Sequence, residues 1–201
     1  MQGPRLKKIR RLGTALPGLT RKQPKDGSKP PGQHGAAFRR KKSNYALMLE
    51  EKQKVRYHYG VSERQLRNAF ARASKLEGQT GENLLAMLEL RLDSVVFRLG
   101  FAPTIPAARQ LVSHGHVHVN GRRVDRASFV VPVGAELSLS ARARNIPDVV
   151  AAVERGPEVR LPEHLALDPS DRHRGRVVAT PARNAVPFIV NETAIVEFYA
   201  R

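Results

Sequence analysis

The unequal distribution of charge along the chain restricts its fold more than any other feature of the sequence. Residues 1–45 contain thirteen Lys and Arg side chains and a single acidic one, Asp26, so this segment carries +12 of the formal net charge of +17. It is also rich in proline and glycine and shows neither helical nor strand periodicity. Such a segment cannot bury enough apolar surface to offset its conformational entropy. We therefore predict an irregular basic N-terminal arm over residues 1–42, which neutralises phosphates rather than serving as a solubility tail.

The sequence that follows the arm has the apolar spacing of α-helices. Apolar residues recur three and four positions apart over 43–60, which predicts a first helix. Ser62 and Gln65 form a capping-box pattern that predicts the start of a second helix, and Gly78 marks its end. Leucines and valines on one face predict a third, longer and continuous helix over 80–100.

The stretch RQLVSHGHVHVNGRRV, residues 109–124, continues a short fourth helix that Thr104 can cap and that has Pro106 in its first turn. After this helix two valines alternate with histidines, which predicts a strand whose valines face inward. The Asn120-Gly121 pair signals a type I′ turn, and two arginines begin the return strand. The pattern raises three alternatives: a metal site, a catalytic base on a turn, or a surface for a polyanion.

Further strands are predicted at 129–133, 136–140 and 176–180, with a helix at 147–155 and one terminal helical turn before 195–199. The fold class is therefore α+β: a helical domain, a small α/β module of short helices packed on antiparallel strands, and the arm. We expect the arm at 1–42, the helical domain at 43–90 joined by 190–201, and the α/β domain at 91–189 with its module at about 90–145.

A metal site is the weakest of the three alternatives. His114, His116 and His118 are two residues apart, but His114 should still lie on the helix, so the three do not form one array. Arg122 and Arg123 would repel a cation, and the chain has no cysteine. We therefore predict neither a bound metal nor a cofactor.

Catalysis is also disfavoured by the sequence. Glu89 and Asp93 lie four apart on a leucine-rich helix and are better explained as salt-bridge partners of Arg91, Arg98 or the basic loops. No glycine-rich phosphate loop is present. An RNA-modifying enzyme would need a separate catalytic domain. We expect that the 201 residues of this chain have no room for one. We predict no catalytic activity and no small-molecule substrate.

A polyanion is the remaining partner, in keeping with an isoelectric point near 11.1. A membrane surface would attract the same charge, but no apolar run approaches the roughly 18 residues that span a bilayer. The short helix should turn Arg109 and Ser113 outward, next to the polar side chains of the hairpin. Such a surface can follow the phosphates and 2′-hydroxyls of a folded RNA.

The same residues resemble a known family. The stretch ARQLVSHGHVHVNGRRV (108–124) is similar to the RNA-binding module of the small-subunit ribosomal protein four family. Four further stretches resemble the bacterial-type ribosomal protein itself: PGQHG (31–35), EKQKVRYHYGVSERQLRN (51–68), TGENLLAMLELRLDSVVFRLGF (80–101) and NETAIVEFYAR (191–201). Many relatives hold a four-cysteine zinc site in the N-terminal segment, whereas this chain resembles a zinc-free variant.

The resemblance implies a structural constituent of the small ribosomal subunit in a bacterial cytoplasm. It implies a primary binder of 16S rRNA at a junction of the 5′ domain that nucleates assembly and contributes to translational accuracy. The implied protein partners are other small-subunit proteins, ribosomal protein five in particular, and mRNA is a further candidate. No membrane is expected.

The residue pattern and the resemblance together give a set of candidate RNA-binding residues. In the arm these are Arg5, Lys7, Lys8, Arg10, Arg11, Gln33, His34, Gly35, Arg39, Arg40, Lys41 and Lys42. In the first two predicted helices they are Lys52, Lys54, Arg56, Tyr59, Arg64 and Arg67. In the module they are Thr104, Arg109, Ser113, His114, His116, His118, Asn120, Gly121, Arg122 and Arg123.

Overall fold

The structure, a computed structural model, describes residues 4–22, 24–25, 29–32, 35 and 42–200. Contacts between Cα atoms divide the chain into two compact units. The helical unit comprises Met1–Leu84 and Phe188–Arg201, and the α/β unit comprises Leu85–Pro187. The division into arm, helical domain and α/β domain that the sequence suggested stays a prediction.

The described part of the helical unit consists of α-helices and connecting turns. Its helices are α1 (Arg5–Leu12), α2 (Asn44–His58), α3 (Glu63–Ala73), the first half of α4 (Thr80–Glu89) and α8 (Glu192–Ala200). The predicted capping box is confirmed at α3, where Ser62 accepts a hydrogen bond from the backbone of Gln65 and Gln65 accepts one in return. Helix α3 ends at Ala73, before the predicted end at Gly78, and Leu76 is exposed.

Helix α1 corrects the prediction that the N-terminal arm is irregular throughout. Ile9 is buried on this helix, and Leu16 and Leu19 are buried after it. The helix ends at Gly13, whose positive φ of 61° allows the chain to reverse and whose N–H donates to the carbonyl of Ile9. The expectation that this segment lacks a helical period is therefore wrong, because apolar side chains do recur three and four residues apart from 6 to 19, among many cations.

Helix α8 packs on α2 within the helical unit. The rings of Tyr45 and Phe198 lie 5.7 Å apart, and the backbone N–H of Asn191 donates to Glu51 over 2.9 Å. Asn191 also caps α8 by accepting a hydrogen bond from the backbone of Ala194. The prediction of a single helical turn here is wrong, because the terminal segment forms a nine-residue helix.

The α/β unit contains the second half of α4, three more helices and a five-stranded antiparallel sheet. The helices are α5 (Leu92–Arg98), α6 (Ile105–Ser113) and α7 (Pro147–Arg155). The strands are β1 (Val117–Val119), β2 (Arg122–Arg123), β3 (Glu136–Leu139), β4 (Leu165–Leu167) and β5 (Arg174–Val177). Their order in the sheet is β2-β1-β3-β5-β4. The α+β fold class and the predicted helix at 147–155 are confirmed.

The predicted continuous helix over 80–100 is wrong at its centre. The chain leaves the helix after Glu89, and Arg91 adopts an extended conformation that pairs with Val130. The N–H of Leu92 donates to the carbonyl of Phe129 over 2.8 Å, so the interruption costs few backbone hydrogen bonds. The predicted strand at 129–133 is reduced to this isolated bridge.

The last predicted strand is shifted along the chain. Strand β5 spans Arg174–Val177 rather than 176–180, and it lies between β3 and β4. Its glycine, Gly175, allows the strand to lie close to Leu99, because an added Cβ would come within 2.7 Å of that side chain.

No helix in the described part of the chain combines the length and apolar character needed to cross a membrane.

Candidate nucleic-acid interface

The candidate interface begins with helix α6, which is fixed at both ends. Thr104 accepts a hydrogen bond from the backbone of Ala107, and Pro106 occupies the first turn, as the sequence predicted. Thr104 is itself buried, so its predicted role in RNA binding is corrected to that of a helix cap. The helix ends at Ser113, and both Ser113 and His114 are exposed.

The turn between β1 and β2 is the predicted type I′ turn. Asn120 and Gly121 have φ values of 49° and 74°, and Val119 pairs directly with Arg122 across the turn. The Asn120 side-chain oxygen accepts a hydrogen bond from the backbone N–H of Glu136 over 2.8 Å. This bond attaches the hairpin to β3 and fixes the direction in which the two arginines of β2 project.

The two faces of the hairpin differ as the alternation predicted. Val117 and Val119 are buried, whereas His116 and His118 are half-buried on the other face. Arg122 and Arg123 are exposed, and no carboxylate of the described residues lies within 4.0 Å of either guanidinium. The hairpin therefore presents two cations that are not neutralised by described acidic side chains.

Arg109 does not project freely from α6, which corrects the sequence prediction. Its guanidinium lies 2.5 Å from the carboxylate of Asp93, and its side chain is 33% exposed. Arg91 binds the same carboxylate through two hydrogen bonds of 3.0 and 2.9 Å. Asp93 is fully buried and shares its one negative charge between two guanidinium groups. Arg109 thus has only part of its surface available to a ligand.

A second buried ion pair joins the last residue of α5 to the last residue of α4. Arg98 donates to both carboxylate oxygens of Glu89, over 3.0 and 3.1 Å, and also donates to the carbonyl of Ala185. Both side chains are almost completely buried. The sequence prediction that Glu89 and Asp93 pair with Arg98 and Arg91 is confirmed.

Cations of α2 in the helical unit are also neutralised internally. Lys52 lies 3.0 Å from Glu63 and 4.3 Å above the ring of Phe198, and it is buried. Burial alone would raise the pKa of Glu63, but hydrogen bonds from Lys52 and Tyr199 hold this pKa below its usual value. Burial together with the nearby Glu63 carboxylate raises the pKa of Tyr199. Lys52 is therefore a structural residue, which corrects its place in the predicted RNA-binding set.

The other candidates in the helical unit fall into three groups. Tyr59 is buried, and its predicted RNA contact is corrected for the same reason as that of Lys52. Lys54 pairs with Glu51 at 2.6 Å, and Arg56 is half-buried. Exposed candidates remain on the surface of this unit: Lys42, which pairs with Glu50, and the α3 residues Arg64 and Arg67.

The arm also divides into exposed and engaged cations. Arg5, Lys7 and Arg11 are exposed on α1. Lys8 lies 4.9 Å above the ring of Tyr57, and burial, with Arg56 and Arg5 nearby, lowers its pKa. The guanidinium of Arg10 donates two hydrogen bonds to the carbonyl of Lys29. The N–H of Gly35 donates to the carbonyl of Gly32. The predictions for Gln33, His34, Arg39, Arg40 and Lys41 lie outside the described residues.

The histidines of the hairpin segment do not form a metal-binding group. The rings of His114 and His116 are 6.2 Å apart and inclined by 67°, and no cluster of three or more potential ligands occurs among the described residues. Burial, followed by the positive charges of Arg142, His114 and Arg123, lowers the pKa of His116. Arg142 is exposed and was absent from the predicted set, because it lies beyond the motif that drew attention to the hairpin.

Comparison with known proteins gives matches over the whole chain. Family models of the ribosomal protein S4/S9 N-terminal domain and of the S4 domain match residues 1–89 and 90–137. Small ribosomal subunit protein uS4 of Synechococcus sp. strain JA-3-3Ab is 53% identical, over 99% of this chain and 97% of the relative. This chain belongs to the uS4 family of small ribosomal subunit proteins.

Two further uS4 relatives cover the chain to a similar extent. The protein from Synechococcus elongatus is 50% identical over 100% of this chain and 97% of the relative. The uS4B protein of Nitrosomonas europaea is 48% identical over 98% of this chain and 96% of the relative. The S4 domain match begins just before α5 and ends within β3, so it contains the whole hairpin. The family resemblance seen in the sequence is confirmed, whereas the RNA-binding roles of the remaining candidate residues stay predictions.

Proposed function

We propose that this chain is a structural constituent of the small ribosomal subunit that binds 16S rRNA and has no catalytic activity of its own. The observation that carries the proposal is the hairpin of the α/β unit, where Arg122 and Arg123 are exposed beside a fixed type I′ turn. The uS4 names of its relatives support the ribosomal setting.

The rigidity of the hairpin favours recognition of a folded RNA. The backbone positions of both arginines are set by the turn and by the Asn120 hydrogen bond before any RNA binds, so less conformational entropy is lost on binding. Guanidinium groups match the geometry of phosphate oxygens. A hairpin whose backbone is fixed in this way suits backbone and shape recognition better than sequence reading along a single strand.

The finer parts of the proposal rest on the family. The chain would bind a junction in the 5′ domain of 16S rRNA early, help to nucleate subunit assembly and contribute to translational accuracy. Its neighbours would be other small-subunit proteins, ribosomal protein five in particular, with mRNA as a further partner. The expected compartment is the bacterial cytoplasm. We propose no cofactor, metal or small-molecule substrate.

Selective RNA binding by the full chain tests this function. Filter binding would compare a small-subunit 5′-domain RNA with an unrelated structured RNA of equal length, both at the same salt concentration, since phosphate contacts make affinity depend on salt. We expect tighter binding of the 5′-domain RNA. Equal affinity for the two RNAs would contradict the proposal.

The contribution of α1 to RNA binding has to be tested by substituting its side chains rather than by deleting the segment. Deletion of residues 1–42 would remove the buried side chains of Ile9, Leu16 and Leu19 and damage the helical unit. Replacing Arg5, Lys7 and Arg11 with Gln removes exposed charge only. We expect the slope of log affinity against log salt to fall by roughly 0.7 to 0.9 for each phosphate that is no longer neutralised. An unchanged slope would exclude these side chains from the interface.

A further inference from the structure

A cleft with a volume of about 200 Å³ lies beside the hairpin in the α/β unit. Its walls come from the loop before α6, from α6 and from the start of α7, and they include the apolar side chains of Leu111, Ile146 and Val149. Polar groups of His114, His116 and Asp148 also line it. The cleft therefore combines apolar walls with several hydrogen-bonding groups.

Positive charge adjoins the polar side of the cleft. The guanidinium of Arg123 lies against Gly115, the residue between the two histidines, so closely that a Cβ at Gly115 would collide with it. Arg142 is near enough to His116 to lower the pKa of that imidazole. Two exposed guanidinium groups thus lie close to an opening with apolar walls.

We propose that the cleft takes up one unstacked nucleobase of the bound RNA, while Arg123 and Arg142 hold phosphates next to it. This inference rests on the proposed function, because it assigns a role in RNA binding to a further part of the same unit. A flipped-out base fits the chemistry of the cleft, since it has apolar faces and a polar edge.

The charges of the cleft favour a base over a phosphate. Asp148 is exposed at the first turn of α7, and its carboxylate repels a phosphate but can accept hydrogen bonds from the amino groups of a base. The guanidinium groups lie on the histidine side, where the backbone of an extruded nucleotide would remain. A base edge at Asp148 and phosphates at the guanidinium groups would orient a nucleotide in the cleft.

The two histidines suit the same ligand. Their rings are inclined by 67° to each other and are not stacked together. Because its pKa is lowered, His116 is neutral near pH 7, and a neutral imidazole has one donor and one acceptor nitrogen. Nδ1 of His116 already lies 3.4 Å from the hydroxyl of Ser140, which orients the ring.

Filling the cleft tests the proposal. Ala107 lines the cleft on α6 and is half-buried, so an A107F substitution would place a ring where the base is expected. Ala151 is exposed on α7, and A151F adds the same ring outside the cleft as a matched control. Each full-length variant would be bound to 5′-domain RNA. Base edges would be probed with dimethyl sulfate and carbodiimide, and the backbone with hydroxyl radicals.

We expect the wild-type protein and A151F to protect at least one base edge that becomes reactive again in the A107F complex. Backbone protection should persist, and the affinity of A107F should fall about tenfold, the scale that the stacking of one base contributes. Unchanged base protection at wild-type affinity in A107F would overturn the proposal. If the wild-type protein fails to prefer 5′-domain RNA, the proposed function itself fails.

A second variant keeps the test valid if A107F does not fold. Gln110 is exposed on α6 and lines the cleft, so Q110A removes hydrogen-bonding groups without affecting the core. Circular dichroism and thermal unfolding would establish that each variant is folded. We expect Q110A to increase reactivity at the same base that A107F exposes. If A107F does not fold, we expect Q110A alone to raise the reactivity of a base edge that the wild-type protein protects, and unchanged protection of every base edge in Q110A would overturn the proposal.

Discussion

Two groups of arginines in the α/β unit have opposite environments. The buried arginines, Arg91 and Arg98, make paired hydrogen bonds to carboxylates and are less than one-tenth exposed. The hairpin arginines, Arg122 and Arg123, are exposed, and no described carboxylate lies within ion-pair distance of them. The same side chain therefore stabilises the fold in one place and remains available to a polyanion in the other.

The comparison shows that net charge is a poor guide to which cations bind RNA. A buried guanidinium needs a carboxylate partner because the desolvation of an isolated charge is unfavourable. An exposed guanidinium remains hydrated and can exchange water and counterions for phosphate at little cost to the fold. Arg109 lies between the two groups, since it is one-third exposed but bound to Asp93.

Removal of Glu89 should have the largest effect on stability. The variant E89L leaves Arg98 buried without its carboxylate, and breaking a buried pair in this way typically lowers the free energy of unfolding by about 3–5 kcal/mol. Urea denaturation would measure the change. The control is E136L, which removes an exposed carboxylate from β3 and should change stability by about 0.5 kcal/mol or less. Similar losses in the two variants would contradict the distinction between buried and exposed charges.

Substitution of Asp93 should lower stability less than removal of Glu89 does. The variant D93N keeps one carbonyl acceptor for Arg91, and the partly exposed Arg109 can return to water. We therefore expect the free energy of unfolding to fall by about 2–3 kcal/mol. The control is D125N, which changes an exposed carboxylate and should have little effect. A loss as large as that of E89L would mean that Arg91 and Arg109 together depend on the Asp93 carboxylate as fully as Arg98 depends on Glu89.

His164 makes the surroundings of Arg98 sensitive to pH. Burial, followed by the positive charge of Arg98, lowers the pKa of His164 from its ordinary value of 6.5 to about 4. Neither ring nitrogen has a hydrogen-bond partner among the described residues, so the imidazole is buried in its neutral form. Between these two values the unfolded chain binds a proton that the folded chain excludes. The part of the stability that depends on neutral His164 is therefore fully present above pH 6.5 and is lost as the pH falls towards 4.

We expect the free energy of unfolding to fall by about 2 kcal/mol between pH 6.5 and pH 5. The variant H164L should remove this part of the pH dependence, because leucine fills a similar space and does not titrate. The control H118L, on the half-buried face of β1, retains His164 and should keep the dependence. Urea denaturation at the two pH values would measure it. A variant H164L with the wild-type dependence would show that other groups cause it.

The features of the fold that could be predicted from the sequence are those that depend on residues close together along the chain. The Asn120-Gly121 turn, the Thr104 cap and the helix at 147–155 each follow from local backbone chemistry. The pairing of Glu89 and Asp93 with arginines was also predictable, because a carboxylate on an apolar helix face requires a cation nearby.

The errors arose where distant residues decide the structure. The helix is interrupted at Arg91 because the segment around Val130 supplies hydrogen bonds there. Lys52 appeared to belong to a basic face, but Glu63 and Phe198 bury it. Arg109 was expected to project outward, but it is bound to Asp93. In each case a charged or polar group has a partner that the spacing of the sequence does not indicate.

Substitution of the hairpin arginines should have the smallest effect on stability and a large effect on RNA affinity. The double variant R122A/R123A should change the free energy of unfolding by about 0.5 kcal/mol or less, because both side chains are exposed and unpaired with described carboxylates. The control R155A/R160A removes two exposed arginines from the same unit. We expect the hairpin variant to lose selectivity for 5′-domain RNA and its salt slope to fall by roughly 0.7 to 0.9 for each phosphate left without its arginine.

The control decides between a specific site and a general effect of charge. Both double variants lower the net charge by the same amount, so a long-range electrostatic effect would weaken the binding of each variant equally. A fixed phosphate-binding hairpin would weaken only R122A/R123A, at unchanged stability. Loss of stability without loss of RNA affinity in R122A/R123A would reverse the comparison, because it would place the hairpin arginines among the residues that hold the fold together.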